Sequence, residues 1–493
     1  MTRVPELGWE LLTEAEKSAI HGGMATGETP LPPRTVQIDW TDRCNVDCFF
    51  CSQADMRREG GELPCDVVQR CFSEMEQLGV RTLNVAGGGD PLFHRQILPI
   101  LEDLRSREFR IGTITTNAVL ARARVAELLI ETTREQISVS LNALGAQAYA
   151  EQMRTTPRNY DRVLENIRHL VALRRGRANA TLRISVQFLV HDDTYRMLPA
   201  MMELAEDLGV DRVAFNPLQF FNDRSRRLAA DAEAFLADVA WLFHNDRRGI
   251  IADIRTVIPE LNARIETLRR HLSPGLYPIT DRQQRNYGSL QSFCALPWFN
   301  LHVKATGDVY PCCALLDRGF RPFGNVHAQS LRAIWEGEPY RMFRQSHSGF
   351  TRAVRTGDTK AQWLSELPKP CTVHGMCFLR ALPYLDDTPF AVAVDGLARC
   401  HPQAEVRFPE TMRDGEWAQL SGPAPTSEPA SVEIFVNKQH CGRAVLGGGA
   451  FSFGFQPEPL EEGFHLLEVR DGTGRVLAAR MVEKLKAPAK SNL

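Results

Sequence analysis

Thr35-Val36-Gln37-Ile38-Asp39-Trp40 runs into Thr41-Asp42-Arg43 and then Cys44-Asn45-Val46-Asp47-Cys48-Phe49-Phe50-Cys51. The first six residues alternate and are rich in strand formers, so they read as a β-strand. The three cysteines behind them sit within eight residues. Thiolates this close can grip one soft metal centre, and a cubane iron–sulfur cluster suits them. A cubane has four irons, so three local cysteines leave one iron open to a substrate or cofactor. Zinc sites favour two separated cysteine pairs, and no histidine follows at ligand spacing. A disulfide would suit an exported chain, and no signal segment marks this one for export.

Outward from this stretch, strands alternate with amphipathic helices. Strand patterns fall at Val36–Trp40, Thr82–Ala86, Ile111–Thr115, Gln136–Leu141, Leu182–Val190 and Arg212–Asn216. Between them, Val67–Leu78, Ile97–Arg107, Val125–Glu131, Tyr160–Arg174 and Tyr195–Leu208 carry apolar residues at helical spacing. Such alternation predicts an α/β fold, a parallel sheet covered by helices.

The Cys-x3-Cys-x2-Cys spacing, with Phe50 before the last cysteine, resembles the radical S-adenosylmethionine (radical SAM) superfamily. The resemblance implies a partial, six-stranded TIM-like barrel with ligands at the C-terminal mouth of its strands. It makes Cys44, Cys48 and Cys51 ligands of a [4Fe–4S] cluster whose open iron chelates SAM. Gly87-Gly88-Gly89-Asp90-Pro91 is similar to the family's Gly-Gly-Glu-Pro segment, which contacts the SAM amino group; Asp90 stands where Glu is usual. Phe50 holds the position that packs near adenine, and Asn117, Ser140, Asn142 and Gln187, at or near strand ends, are further candidate SAM contacts.

A second cysteine set follows a polar, proline-containing stretch. It comprises Cys294-Ala-Leu-Pro-Trp298, Cys312-Cys313 and Cys371…Cys377, with Gly324-Asn325 and Ile334-Trp335 between. This arrangement resembles the SPASM/twitch extension of radical SAM enzymes. It implies one auxiliary iron–sulfur cluster on Cys294, Cys312, Cys371 and Cys377, although a tetrahedral zinc would use the same four thiolates. Cys313 is open to three readings: a substitute ligand, a hydrogen-atom donor, or a small packing residue. The expected organisation is a lead-in (1–33), the core barrel (34–245), a helical linker (246–293), a small α+β auxiliary domain (294–400), a linker (401–430) and an all-β module (431–485).

A net charge of −2 argues against a broad nucleic-acid or membrane surface. No apolar run reaches membrane-spanning length, and a reducing cytoplasm is the expected setting. If the resemblance holds, electron transfer into SAM yields a 5′-deoxyadenosyl radical that abstracts hydrogen from an unactivated carbon. The auxiliary cluster then serves as electron acceptor or relay, and the outcome is oxidation or bond formation; an epimerase would need a donor such as Cys313. An external donor such as flavodoxin or ferredoxin is implied.

The expected substrate is a saccharide or other small metabolite. The N-terminus is too short for a peptide-recognition domain, and the tail loosely resembles β modules of glycan-biosynthesis proteins. The alternative is a maturase of ribosomally made peptides. A non-enzymatic metal-binding protein is the reading from another class, and the glycine turn speaks against it.

Overall fold

The computed structural model describes residues 11–356, apart from 30, 52, 55–59, 177–180, 219–225, 257, 273–293 and 313–319, and beyond these the strands between 411 and 484. Within them a ten-stranded sheet has the order β10-β9-β8-β1-β2-β3-β4-β5-β6-β7. Its strands are β1 (Thr35–Ile38), β2 (Thr82–Val85), β3 (Ile111–Thr116), β4 (Thr133–Asn142), β5 (Arg183–Val190), β6 (Arg212–Pro217), β7 (Ile251–Ile254), β8 (Asn300–Val303), β9 (Asp308–Tyr310) and β10 (Gly324–Asn325). Strands β1 to β7 pair in parallel, in sequence order. The helices between them make this the expected mixed α/β architecture with a partial barrel.

Parallel strands buried on both faces are apolar throughout. These are not. Val36, Ile38, Leu83, Val85, Ile114, Ile137, Val139, Ile184 and Val186 are buried, and the residues that alternate with them, Gln37, Asn84, Thr113, Thr115, Ser138, Ser140, Ser185 and Gln187, are polar. Alternation puts the two sets on opposite faces. One face packs under the helices; the other is the polar lining of the barrel.

Two stretches depart from expectation. The segment read as a helical linker supplies β7, which pairs with β6, before the helix Pro259–Leu272. Four residues reading Ile-Ala-Asp-Ile are too short to announce a strand without a partner. The helix Ala146–Met153 was also not foreseen, because its run of small and polar residues lacks a clear apolar stripe.

The region of the second cysteine set is joined to the barrel. Strand β8 adds to β1 in parallel, with Thr35 opposite Asn300 and Gln37 opposite His302. Strands β9 and β10 continue the sheet antiparallel. The N-terminal helix Glu14–Thr26 begins on a Thr13/Glu16 capping box. Its Met24 carbonyl accepts from Ser348 Oγ at 2.6 Å. One apolar core accordingly runs from Leu12 to Phe343.

The C-terminal module has its own core, with Leu420, Val432, Ile434 and Leu467 buried. It comprises a five-stranded sheet and a two-stranded one, as an all-β module should. Thr411–Met412 and Ala418–Pro423, within the expected linker, are strands of it.

Candidate active site

Cys44, Cys48 and Cys51 are half-buried and not disulfide-bonded. Their loop leaves the C-terminal end of β1 and lies along the end of the helix Ala146–Met153. Asp47 N donates to the Met153 carbonyl at 3.0 Å and Phe49 N to that of Gln152 at 3.1 Å. Arg154 closes that helix in the left-handed region at φ 45°, freeing the last carbonyls for this use. Cys48 Sγ lies 3.5 Å from Met153 Sδ. Asn117 Nδ2, at the end of β3, donates to Asn45 Oδ1 at 2.8 Å and reaches Cys44 Sγ at 3.7 Å. Donors to a thiolate stabilise the charged, metal-binding form.

The glycine turn presses on the same loop. Gly89 N donates to the Thr41 carbonyl at 3.1 Å and Asp90 N to that of Arg43 at 3.0 Å. A Cβ on Gly88 would stand 2.0 Å from Asp42 Oδ1, and one on Gly89 2.0 Å from the Arg43 carbonyl oxygen. Only glycine lets the two backbones approach this closely. The turn therefore sits against the approach to Cys44.

Asp90 is buried, and its carboxylate accepts from Leu92 N (2.9 Å), Thr116 Oγ1 (2.9 Å) and Asn117 N (2.6 Å). Burial lifts its pKa despite those bonds. With its oxygens so engaged, Asp90 ties the glycine turn to the end of β3 and sets Asn117 in place.

Of the other sequence candidates, Asn142 is buried with φ 60° at the end of β4, and its Nδ2 lies 3.9 Å from Met153 Sδ. Phe50 is half-buried, edge-on to Phe49 with ring centres 5.2 Å apart. Ser140 and Gln187 are register partners on the polar face. Gln187 Nε2 donates to Ser138 Oγ at 2.6 Å. The structure thus brings the cysteines, the glycine turn, Asn117 and Asn142 into one linked group, with Ser140 and Gln187 on the lining beside it.

Sequence reasoning missed Met153, Gln152 and Asp39. Met153 and Gln152 carry no signal without the helix that presents them. Asp39 did carry one, as the polar residue two after Gln37 in a strand otherwise buried. It lies 2.9 Å from His302 Nε2, both side chains fully enclosed. This contact bridges the ends of β1 and β8.

In the second set, Cys294 is half-buried and Cys312 buried; Cys313, Cys371 and Cys377 lie outside the described residues. Cys294 precedes β8 and Cys312 follows β9, so the hairpin returns both to one end. Tyr340, buried, donates to the Asn300 carbonyl at 2.6 Å. Asn300 Nδ2 in turn donates to the Pro311 carbonyl at 3.0 Å. Since Asn300 is level with Thr35, where β1 begins, this set stands at the end of the sheet opposite Cys44. The four residues of β1, at ~3.3 Å each, span roughly 13 Å between those ends.

Both sites fit the groups they would hold. The first offers three thiols on one loop and a backbone cradle that a Cβ would fill. The second offers two thiols at one end of a hairpin, close enough to the buried Tyr340 for their charge to act on it.

The model of the radical SAM superfamily matches residues 38–204. That of SPASM, an iron–sulfur cluster-binding domain, matches residues 294–356. The chain therefore carries a radical SAM domain followed by a SPASM domain.

A probable GTP 3′,8-cyclase of Methanococcus maripaludis is 25% identical over 189 residues, 38% of this chain and 60% of the cyclase. A PqqA peptide cyclase of Bradyrhizobium diazoefficiens is 23% identical over 402 residues, 80% of this chain and 93% of that protein. A PqqA peptide cyclase of Granulibacter bethesdensis is 22% identical over 62% of this chain and 75% of its own length. The structure of Streptococcus suis SuiB bound to precursor peptide SuiA covers 75% of this chain and 74% of SuiB, at 16% identity and a TM-score of 0.46. No described helix is long and apolar enough to cross a membrane.

Proposed function

We propose that this enzyme abstracts a hydrogen atom from a peptide and leads the product to oxidation or bond formation, with the auxiliary cluster taking up or relaying an electron. The observation that carries this is the extent of the likeness. The peptide cyclase of B. diazoefficiens aligns over 402 residues, against 189 for the GTP cyclase of M. maripaludis, little more than the radical SAM core. A nucleotide substrate is the second reading and rests on the latter match. The saccharide expectation rested on the short N-terminus and a loose likeness of the tail; no residue of the described site speaks for a sugar, and it gives way to the peptide.

Bound SAM on a cluster with an open iron supplies a 5′-deoxyadenosyl radical. In our reading Cys44, Cys48 and Cys51 hold that cluster, and Gly87 to Gly89 offer backbone atoms to the SAM amino acid group. Asn117 donates a hydrogen bond toward the Cys44 thiolate, and Asp90 positions Asn117. Phe50, Ser140, Asn142 and Gln187 face the nucleoside. Cys294, Cys312, Cys371 and Cys377 hold the second cluster, and an external reductant such as flavodoxin or ferredoxin serves both. The half-buried polar lining then receives the substrate between the two cysteine sets, where alternating hydroxyl and amide groups can take peptide backbone hydrogen bonds.

The test is 5′-deoxyadenosine release by the reconstituted, reduced enzyme with a peptide pool, a nucleotide pool and a nucleotide-sugar pool in parallel. Release above the substrate-free rate with peptides alone is expected. Stimulation by nucleotides or sugars and not by peptides would overturn the peptide reading.

A further inference from the structure

Arg344, on the helix Glu338–Thr356, is 2% exposed, and no Lys or Arg among the described residues is more hidden. Its guanidinium carbon lies 4.1 Å from the Trp335 ring centre and 4.5 Å from that of Tyr340. Nε donates to the Pro297 carbonyl at 2.8 Å and Nη1 to that of Trp335 at 3.1 Å. Nη2 is buried and has no hydrogen-bond acceptor among the described residues. Among the described residues the charge felt by Arg344 comes from Tyr340 and from no carboxylate.

A stripped, unpaired cation is a costly way to fill an apolar box that Met or Leu would fill without a desolvation penalty. Two aromatic faces recover part of that cost. Burial draws the Arg344 pKa down to about 10, so the group is still charged at neutral pH. Some anion should compensate it.

The surroundings name one. Pro297, which accepts from Arg344 Nε, lies three residues after Cys294. Tyr340, against the guanidinium, is bonded to Asn300, and Asn300 to the carbonyl just before Cys312. Burial pushes the Tyr340 hydroxyl up, Arg344 pulls the other way, and the Cys312 and Cys294 sulfurs are near enough to add a smaller upward push. Four thiolates leave a cubane anionic, and more so once it takes an electron; its potential follows nearby charge.

We propose that Arg344 is the counter-charge of the auxiliary cluster and raises its reduction potential. The proposal rests on the reading that Cys294 and Cys312 ligate that cluster. Arg344 touches no substrate; it acts through the cluster, favouring electron uptake there.

The test uses the full chain with Cys44, Cys48 and Cys51 all replaced by Ala, so that the remaining iron signal belongs to the second site. Redox titration followed by electron paramagnetic resonance then gives the midpoint. Arg344→Gln is expected to shift the reduction equilibrium about tenfold toward the oxidised form, a midpoint about 59 mV lower for one electron. Arg344→Lys, which keeps the charge without the planar stack, should stay within about twofold of the parent.

A twofold or smaller shift in Arg344→Gln would overturn the proposal, as would a tenfold shift in Arg344→Lys. If Arg344→Gln fails to hold iron, Arg344→Met, also neutral and suited to the apolar box, is read by the criterion set for Arg344→Gln. If the parent's signal survives Cys294→Ala and Cys312→Ala, the ligand reading itself fails, and the proposal with it.

Discussion

Cys44, Cys48 and Cys51 sit half-buried on a loop held mainly by backbone bonds to one helix end. At the other end of the sheet, Cys312 is buried, and Trp335, Tyr340, Phe323 and Phe343 are hidden in the packing around the hairpin it follows. The difference matches two kinds of chemistry. A centre that must admit and release a small cofactor needs an accessible side, and the loop over the mouth leaves one. A centre that only carries electrons gains from closure, because a low-dielectric surround keeps its potential under the control of fixed groups. The Asp39–His302 contact and the β1–β8 pairing make both parts of one body, so the distance between them is set by sheet geometry.

The largest expected effect tests whether the two sets do different work. Cys44→Ala, Cys48→Ala or Cys51→Ala should reduce 5′-deoxyadenosine release to background. Cys294→Ala or Cys312→Ala should leave SAM cleavage and remove only the final product. Loss of cleavage in all five would break the comparison; mass spectrometry of both products decides.

Next comes the joint between the parts. Asp39→Ala strands a buried His302 and should cost about 3 kcal/mol in chemical denaturation. Asp39→Leu with His302→Leu should cost clearly less than the sum of the two single changes. Simple additivity would mean that the contact contributes nothing to the joint.

The smallest effect concerns the mouth alone. Gly88→Ala puts a methyl 2.0 Å from Asp42 Oδ1 and should cost about 1–3 kcal/mol through overpacking. SAM affinity, read by equilibrium dialysis, should weaken with it, while the auxiliary cluster's midpoint stays put. An unchanged melting temperature would show that the turn can yield.

Six barrel strands were legible because each carries its own local pattern, ending within a few residues of where Thr35–Ile38, Ile111–Thr116 or Arg183–Val190 end in the structure. The first three cysteines stand out in the sequence because their spacing is local and chemically narrow, and the structure keeps them on one loop at the end of β1. Strand β7, the helix Ala146–Met153 and the contacts of Asp39 were not legible, since their stability comes from partners distant in the chain. Asp90 shows the same limit: the sequence marks it as part of a motif, and the fold shows its oxygens turned to Leu92, Thr116 and Asn117.

By itself, then, the sequence determined the chemistry: short-range spacing selects the first metal centre, and period-two and period-3.6 patterns select a helix-covered parallel sheet. Only the tertiary structure decided that the second cysteine region extends the barrel sheet, that the strands' polar residues share one face of it, and that the buried Arg344 Nη2 finds no acceptor among the described residues. These depend on which strand edge β8 meets and which groups water is driven from. Such long-range choices are settled by burial and backbone pairing across hundreds of residues.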